Sequence, residues 1–534
     1  MKEQIKEDKR LQARQKVIQI LVLAAMGIVF YLVLGQEWIA IEDDTPFYLN
    51  PRREGVMPVY PLFLFVVKCI FGEDMYLSAV VVIQSLLAIV CTMAFVLYLQ
   101  NHFRLHWIET LLLYVACMLP FSIYLPEAGI THQILTEGIS YAIFYLYFML
   151  LLQYVFEQKI RWLIAAVGMG GFMELIRSQM LFLLGVTAAV FVVVEFVKSR
   201  KDKICRRIVR AGVNCVVGVI GIIVVVTLVY KIFGLYWIYQ LPLIEKRNEQ
   251  AVTAEVEAEA VTAQTEMQTA ETEGIMQPDE AGDSTRAGVE QMPVDVAQTE
   301  KKPVEEDNPG TLSQFTSLII TRGVYEIDED DIELFESPEM KEIFKRVYDA
   351  IDAEQYRYVY ARQDLYMWRD LVKDEIPIIV FGHVGAYLRD HPQVQLNNVQ
   401  ICRELGMKVL LHHFDRYLYH SFRMMVSGFI SSIFFQIERI YLLCHVITLL
   451  LYLAAAAGII YCLKKGGNKK VAAFAGTTLG YIFLMVVVTN LVFLGLQRYM
   501  VYAMGIFYCG MYLLAREAVL ITAEDLPWIK KIRR

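Results

Sequence analysis

The sequence predicts an all-α polytopic membrane protein, and three observations carry that prediction. Hydrophobic residues make up 56% of the 534-residue chain against 20% charged, with a mean hydropathy of +0.43, whereas a soluble domain is far more polar. Apolar runs of about 20 residues, the length that crosses a hydrocarbon core at helical rise, recur along most of the chain. Lys and Arg gather in the short segments between those runs, as cytoplasmic loops require. A wholly soluble enzyme is excluded.

The first apolar run, 17–35, follows a basic head of Lys2, Lys6, Lys9, Arg10, Arg14 and Lys16. It is too long for a signal h-region and many spans follow, so it reads as an uncleaved first helix. Further spans are expected at 75–99, 107–125, 135–156, 162–175, 178–197, 211–230, 440–462, 471–495 and 499–518, about ten in all. Cytoplasmic segments would be the N-terminus, 100–106 with Arg104, 157–161 with Lys159 and Arg161, and 198–210 with seven basic residues. The loop 463–470 and the tail ending Lys530, Lys531, Arg533 and Arg534 join them. By alternation, 36–74, 126–134, 176–177, 231–439 and 496–498 face outside. Two apolar stretches, 56–71 with Pro58 and Pro61, and 424–435, are too short to span and read as interfacial or re-entrant helices.

The large external segment changes composition along its length. Residues 245–307 hold 17 acidic and 5 basic residues and no aromatic one, which leaves nothing to build a core, so 246–310 is expected to be a disordered acidic insert. From Phe315 aromatics return, and 337–351 and 397–419 carry apolar residues at helical spacing, with Ser337-Pro338-Glu339 as an N-terminal cap. The expected organisation is a transmembrane module over 1–230 with its external loop 36–74, a linker over 231–310, an external helical domain with an interfacial helix over 311–439, and C-terminal transmembrane helices with a cytoplasmic tail over 440–534. The net charge of −7 says little about partners because the acids are concentrated in one stretch, and nothing points to nucleic acid. The nine cysteines form no CxxC pair, so neither a disulfide framework nor a zinc knuckle is suggested.

Candidate chemistry begins just outside the first helix. Glu42-Asp43-Asp44-Thr45-Pro46-Phe47-Tyr48 is followed by Arg52-Arg53-Glu54-Gly55 and by Pro58-Val59-Tyr60-Pro61, which opens an apolar helix. Acids alone would be solvated loop residues; an acid with an aromatic four residues on, a downstream Arg and Pro-x-Tyr-Pro is a rarer combination. In these residues the chain resembles the GT-C superfamily of integral-membrane glycosyltransferases, particularly the protein O-mannosyltransferase and aminoarabinose transferase group. The resemblance implies a catalytic acid in the first external loop, matched by Asp44 with Tyr48 and, in the adjacent register, by Asp43. The family's Arg followed by Pro-Gly-Tyr-Pro at the next juxtamembrane helix is matched by Arg53 with Pro58, Tyr60 and Pro61, Val59 standing for the usual Gly. Leu135-Thr136-Glu137, Glu174-Leu175-Ile176-Arg177 and Gln497-Arg498-Tyr499 extend the resemblance over roughly 15–230 and, more loosely, 490–518.

What the resemblance implies is transfer of a sugar from a polyprenyl-phosphate donor to a glycan, lipid-linked or protein acceptor on the extracytoplasmic face. A polyprenyl-linked sugar presents its anomeric carbon at the bilayer surface, where a carboxylate beyond a helix end is placed to take the acceptor proton, a role worth roughly 10²–10⁴-fold. Direct displacement would invert the anomeric centre. The phosphate leaving group needs cations or donors; Arg177 is the first candidate, then Arg498, with Arg52 and Arg53 either sharing the role or neutralising the acids. An Arg among apolar helices costs about 2.5–3.5 kcal/mol on insertion scales, although a snorkelling Arg paired with lipid is the plain alternative.

Tyr48, Tyr60, His132 and Glu137 are candidate substrate contacts, with a dipole-favoured helix start as the alternative for Glu137. Glu174 is expected to pair with Arg177 at i, i+3. The carboxylate pair is also able to hold Mg²⁺ or Mn²⁺. His412-His413 and His420 lack a metal-ligand spacing and read as a wet amphipathic helix. The absence of a Walker loop or a dinucleotide fingerprint disfavours a nucleotide-sugar donor. The competing readings are a polysaccharide polymerase, a lipid-linked glycan transporter or flippase, and a non-catalytic surface scaffold; a bacterial plasma membrane suits the loops.

Overall fold

The structure is a computed structural model that describes residues 2–34, 39–42, 45–49, 56–123, 129–198, parts of 209–235, 320, 322–324, 327–353, 365–392, 394, 398–434, 441–492 and 500–525. The acidic insert, Asp43, Asp44, Arg52, Arg53 and Arg498 lie outside them. The described residues contain no strand beyond an isolated parallel bridge between Ala40 and Gln133. The helices are α1 (Lys2–Leu34), α2 (Thr45–Leu49), α3 (Val59–Phe71), α4 (Tyr76–Phe103), α5 (Trp107–Ile123), α6 (Thr136–Glu157), α7 (Ile160–Ile176) and α8 (Phe182–Lys198). After the insert come α9 (Pro338–Ala353), α10 (Leu365–Asp390), α11 (Asn398–His412), α12 (Phe414–Ser431), α13 (Tyr441–Lys464), α14 (Lys469–Val492) and α15 (Met504–Asp525).

Six helices among the described residues are long and apolar enough to cross a membrane, at Tyr76–Phe103, Thr136–Glu157, Ser178–Lys198, Leu442–Lys464, Lys469–Leu491 and Val501–Ala523. This is an all-α membrane protein. α13 leaves Leu442, Leu443, Val446, Leu449, Leu450 and Leu453 exposed, an apolar face that in a membrane protein is covered by lipid. α3 is too short to span: it buries Tyr60, Pro61, Leu64 and Val67 and exposes Leu62, Phe65, Val66 and Ile70, the two-faced burial of a helix packed on a bundle in an apolar medium.

α6 is buried on nearly every side from Thr136 to Leu152, as a helix at the centre of a bundle must be. It packs against α4 and α7. Its aromatic side chains reach the C-terminal helices: Phe144 lies 4.9 Å from the Tyr481 ring of α14, and Tyr141 stacks on Tyr502 at 3.8 Å. The Ser140 and Tyr502 hydroxyls are hydrogen-bonded at 2.8 Å. A single apolar core therefore runs from Leu23 to Leu514 and joins both ends of the chain. α15 closes on α5 through Gly505, where a Cβ would stand 2.8 Å from the Cys117 Cα and 2.6 Å from the Tyr145 hydroxyl.

A second core is built from α9 to α12. α9 buries Met340, Ile343, Phe344, Val347 and Ile351 at helical spacing, and the expected cap is present, with the Met340 amide donating to Ser337 Oγ at 3.1 Å. Ile376, Val380, Phe381 and Val384 of α10 and Ile401, Leu405 and Val409 of α11 complete it. The 424–435 stretch differs from expectation: through Ser431 it is the second half of α12, not a separate helix. Its Met424, Ser427, Gly428 and Ile430 are buried because α12 lies against α14. The buried Arg322 secures that seat, donating to Ser421 Oγ at 2.9 Å and to the Asn490 carbonyl at 2.6 Å beneath the Tyr417 ring.

Gly505→Ala would overpack backbone against backbone and is expected to destabilise the bundle by about 1–3 kcal/mol. Thermal unfolding in detergent should show a lowered Tm, while Gly476→Ala, whose new Cβ meets nothing within 4 Å, should leave it unchanged.

Candidate functional site

The loop that follows α1 is tied to the loop that opens α6. The Ala40 amide donates to the His132 carbonyl at 3.0 Å and the Ile134 amide to the Ala40 carbonyl at 3.1 Å, the pairing that forms the isolated bridge. Gln133 Nε2 donates to Glu42 Oε1 at 2.6 Å. Thr45 then bonds in three directions: its amide to the Glu42 carbonyl at 2.9 Å, its hydroxyl to the Ile134 carbonyl at 3.2 Å, and the Glu42 amide back to its Oγ1 at 2.9 Å. Glu42 and Thr45 flank Asp43 and Asp44, so both neighbours of the two acids are held on the second loop. His132, one of the expected contacts, is buried in that loop at 2% exposure.

Tyr48 and Tyr60 meet edge to face at 5.2 Å and 83°. Tyr60 is fully buried, and its hydroxyl donates to Gln84 Oε1 at 3.0 Å. Gln84 Nε2 in turn donates to the Thr131 and Gln133 carbonyls at 2.9 and 3.0 Å, so a polar side chain inside an apolar helix spends its groups on loop backbone. Gly138 makes room for it; a Cβ there would sit 2.6 Å from the Gln84 amide carbon.

Two residues beyond Ile134 the same loop becomes α6 and meets Arg177. The guanidinium forms an ion pair with Glu137, and Nη1 also donates to Thr136 Oγ1 at 2.9 Å, whose hydroxyl donates to Glu137 Oε2 at 3.0 Å. Nε donates to Gln179 Oε1 at 2.8 Å. The side chains of Arg177 and Glu137 are only 10% and 3% exposed, so the charges are sequestered and compensate one another. Glu174 is not the partner expected of it. Arg177 lies past the end of α7 in extended backbone, φ −153° and ψ 119°, where helical i, i+3 proximity no longer holds. Glu174 is itself buried at 1% exposure, and its Oε2 accepts no hydrogen bond among the described residues.

Glu137, Arg177, Tyr48, Tyr60 and His132, all expected at one site, are brought to one end of the bundle. Gln84, Gln133 and Thr45, the groups that hold the loops, are not among the expected residues; an amide inside an otherwise apolar span is the one signal in the sequence for Gln84. Among the described residues, one group of three side chains has metal-ligating atoms in reach of one another: Asp331, His412 and His413, none of them part of the Glu137 cluster. No protein-family profile, curated protein or solved structure matches the chain.

Removing one member of a buried ion pair strands the other and costs about 3–5 kcal/mol, whereas removing both is far milder. Arg177→Met is therefore expected to lower Tm more than the Arg177→Met, Glu137→Gln double variant, measured by thermal unfolding of the purified protein in detergent.

Proposed function

We propose that the protein is a GT-C-type membrane glycosyltransferase that moves a sugar from a polyprenyl-phosphate donor to an acceptor hydroxyl, on a glycan, a lipid-linked polymer or a protein. In this reading the chain is a multi-pass protein of a bacterial plasma membrane with about ten spans. Both termini are cytoplasmic and the 231–439 segment is outside. Asp44, or Asp43 in its place, accepts the acceptor proton as the oxygen attacks the anomeric carbon with inversion. Mg²⁺ or Mn²⁺ held by the same carboxylates is compatible with this chemistry.

The observation that carries the reading is the coupling of the first loop to the Arg177 cluster. The residues on either side of the two acids are bonded to 132–134, and the turn that follows holds a largely sequestered guanidinium. A base and a cation for the phosphate leaving group are what the transfer needs at one depth. Because Arg177 is already compensated by Glu137, a phosphate would share the guanidinium with that carboxylate. Arg53 and Arg498 remain further candidates for the phosphate, and Tyr48, Tyr60 and His132 for the sugar and acceptor.

The test is release of polyprenyl phosphate from a panel of polyprenyl-phosphate sugars by detergent-purified protein, with Asp43→Asn and Asp44→Asn beside the unmodified chain. One variant is expected to lose turnover by roughly 10²–10⁴-fold while still binding donor. Equal turnover in both variants would move the base elsewhere, and none from any donor would sink the transferase reading.

A further inference from the structure

Consecutive residues on one helix point about 100° apart, so His412 and His413 would diverge if α11 and α12 were continuous. They are not. α11 ends at His412, and His413 stands between the helices with φ −102° and ψ 39°, its side chain making no capping bond. The break turns both imidazoles toward one carboxylate, that of Asp331 in the short 3-10 turn Glu329–Leu334. His413 Nε2 lies 3.0 and 2.9 Å from the two Asp331 oxygens, and His412 Nε2 lies 3.8 Å from Oδ1. One ligating atom from each of the three residues falls within 4.8 Å of the others.

We propose that Asp331, His412 and His413 form a binding site for a divalent transition-metal ion of the zinc class. Two imidazoles and one carboxylate are a donor set that suits zinc and leaves a fourth position for water; Mg²⁺ and Ca²⁺ prefer all-oxygen surroundings. Ligands about 2.0–2.1 Å from a tetrahedral ion stand roughly 3.3 Å apart; the two separations to Asp331, 2.9 and 3.8 Å, lie on either side of that spacing, and with all three ligating atoms within 4.8 Å of one another a small inward turn of the exposed His412 ring completes it.

The surroundings of the cluster favour an ion. The Asp328 amide donates to Asp331 Oδ2 at 2.7 Å, which fixes the carboxylate and leaves Oδ1 toward both rings, the kind of outer support that metal ligands need. The Asp328 carboxylate adds negative charge 3.8 Å from His413 Nε2 and is itself held by Arg416 at 2.6 Å. Asp331 and His413 have side chains only 2% and 10% exposed, whereas His412 is 53% exposed. Two ligands are thus preset, and the third closes the site from the solvent side, giving the ion an entry path. A bound ion would clamp the turn at 329–334 to the α11–α12 junction, and so to the helix that seats on α14.

Full-length protein in detergent, stripped with a chelator, would be titrated with zinc alone and, separately, with cobalt. About one tightly held zinc per chain is expected after desalting, with a raised Tm and a visible cobalt absorption of four-coordinate character. His412→Ala decides the matter. A plain Asp331–His413 hydrogen bond makes no use of His412, so the variant should keep the Tm of the metal-free protein yet bind zinc at least about tenfold more weakly and lose the cobalt band. Asp331→Asn should do the same to zinc binding. Zinc held equally by His412→Ala and the unmodified chain, or not retained by the unmodified chain, would overturn the proposal.

Discussion

A charged guanidinium cannot sit at the end of an apolar bundle unless something meets its charge, and in this protein the groups that meet Arg177 also organise the neighbouring loops. Glu137 neutralises it, Thr136 bridges the two, and Gln179 accepts from Nε. Because Thr136 and Glu137 are the first residues of α6, the central helix is registered against the end of α7 by electrostatics as well as by packing. Buried pairs of this kind add little net stability but penalise any arrangement that separates them. That makes the pair a device for register, and the first loop inherits its position through Ile134, Gln133 and Gln84.

A second buried arginine repeats the logic for α12. Arg322 offers its guanidinium to Ser421 and to the Asn490 carbonyl, capping backbone at the end of α14 while holding α12 in place. Tyr502, just beyond that end of α14 in the chain, bonds Ser140 near the start of α6. The Arg177 cluster and the seat of α12 on α14 therefore lie at the same end of the bundle. A carbonyl near a helix end with no further turn to bond is a strong acceptor, and a fixed cation is an efficient way to satisfy it where water is scarce.

The division of roles among the polar residues follows from what each one touches. Glu42, first of three consecutive acids, is engaged by Gln133 and belongs to the scaffold. Tyr60 spends its hydroxyl on Gln84, which makes it a positioning residue for the loop whatever else it contacts. Glu174 is buried with one oxygen that accepts no hydrogen bond among the described residues, an expensive arrangement for a carboxylate and one for which the fold offers no packing reason.

The amino-acid pattern alone specified the class of fold, because membrane helices are selected by length and hydropathy, both of which are local: the six long apolar helices among the described residues fall on segments whose composition already required them. It also determined the cap at Ser337 and the short, two-faced helix at 59–71, for the same reason. Pairing between distant residues was another matter. That Arg177 turns to Glu137 and away from Glu174 depends on the chain leaving the helix at Arg177, and the continuity of α12 through 424–431 depends on the surface of α14. That His412 and His413 converge on Asp331 depends on a break one residue wide. Such features arise from contacts across 40 to 80 or more positions, as in the Arg177–Thr136 and His413–Asp331 separations of 41 and 82, and only tertiary packing sets which distant groups share one small volume.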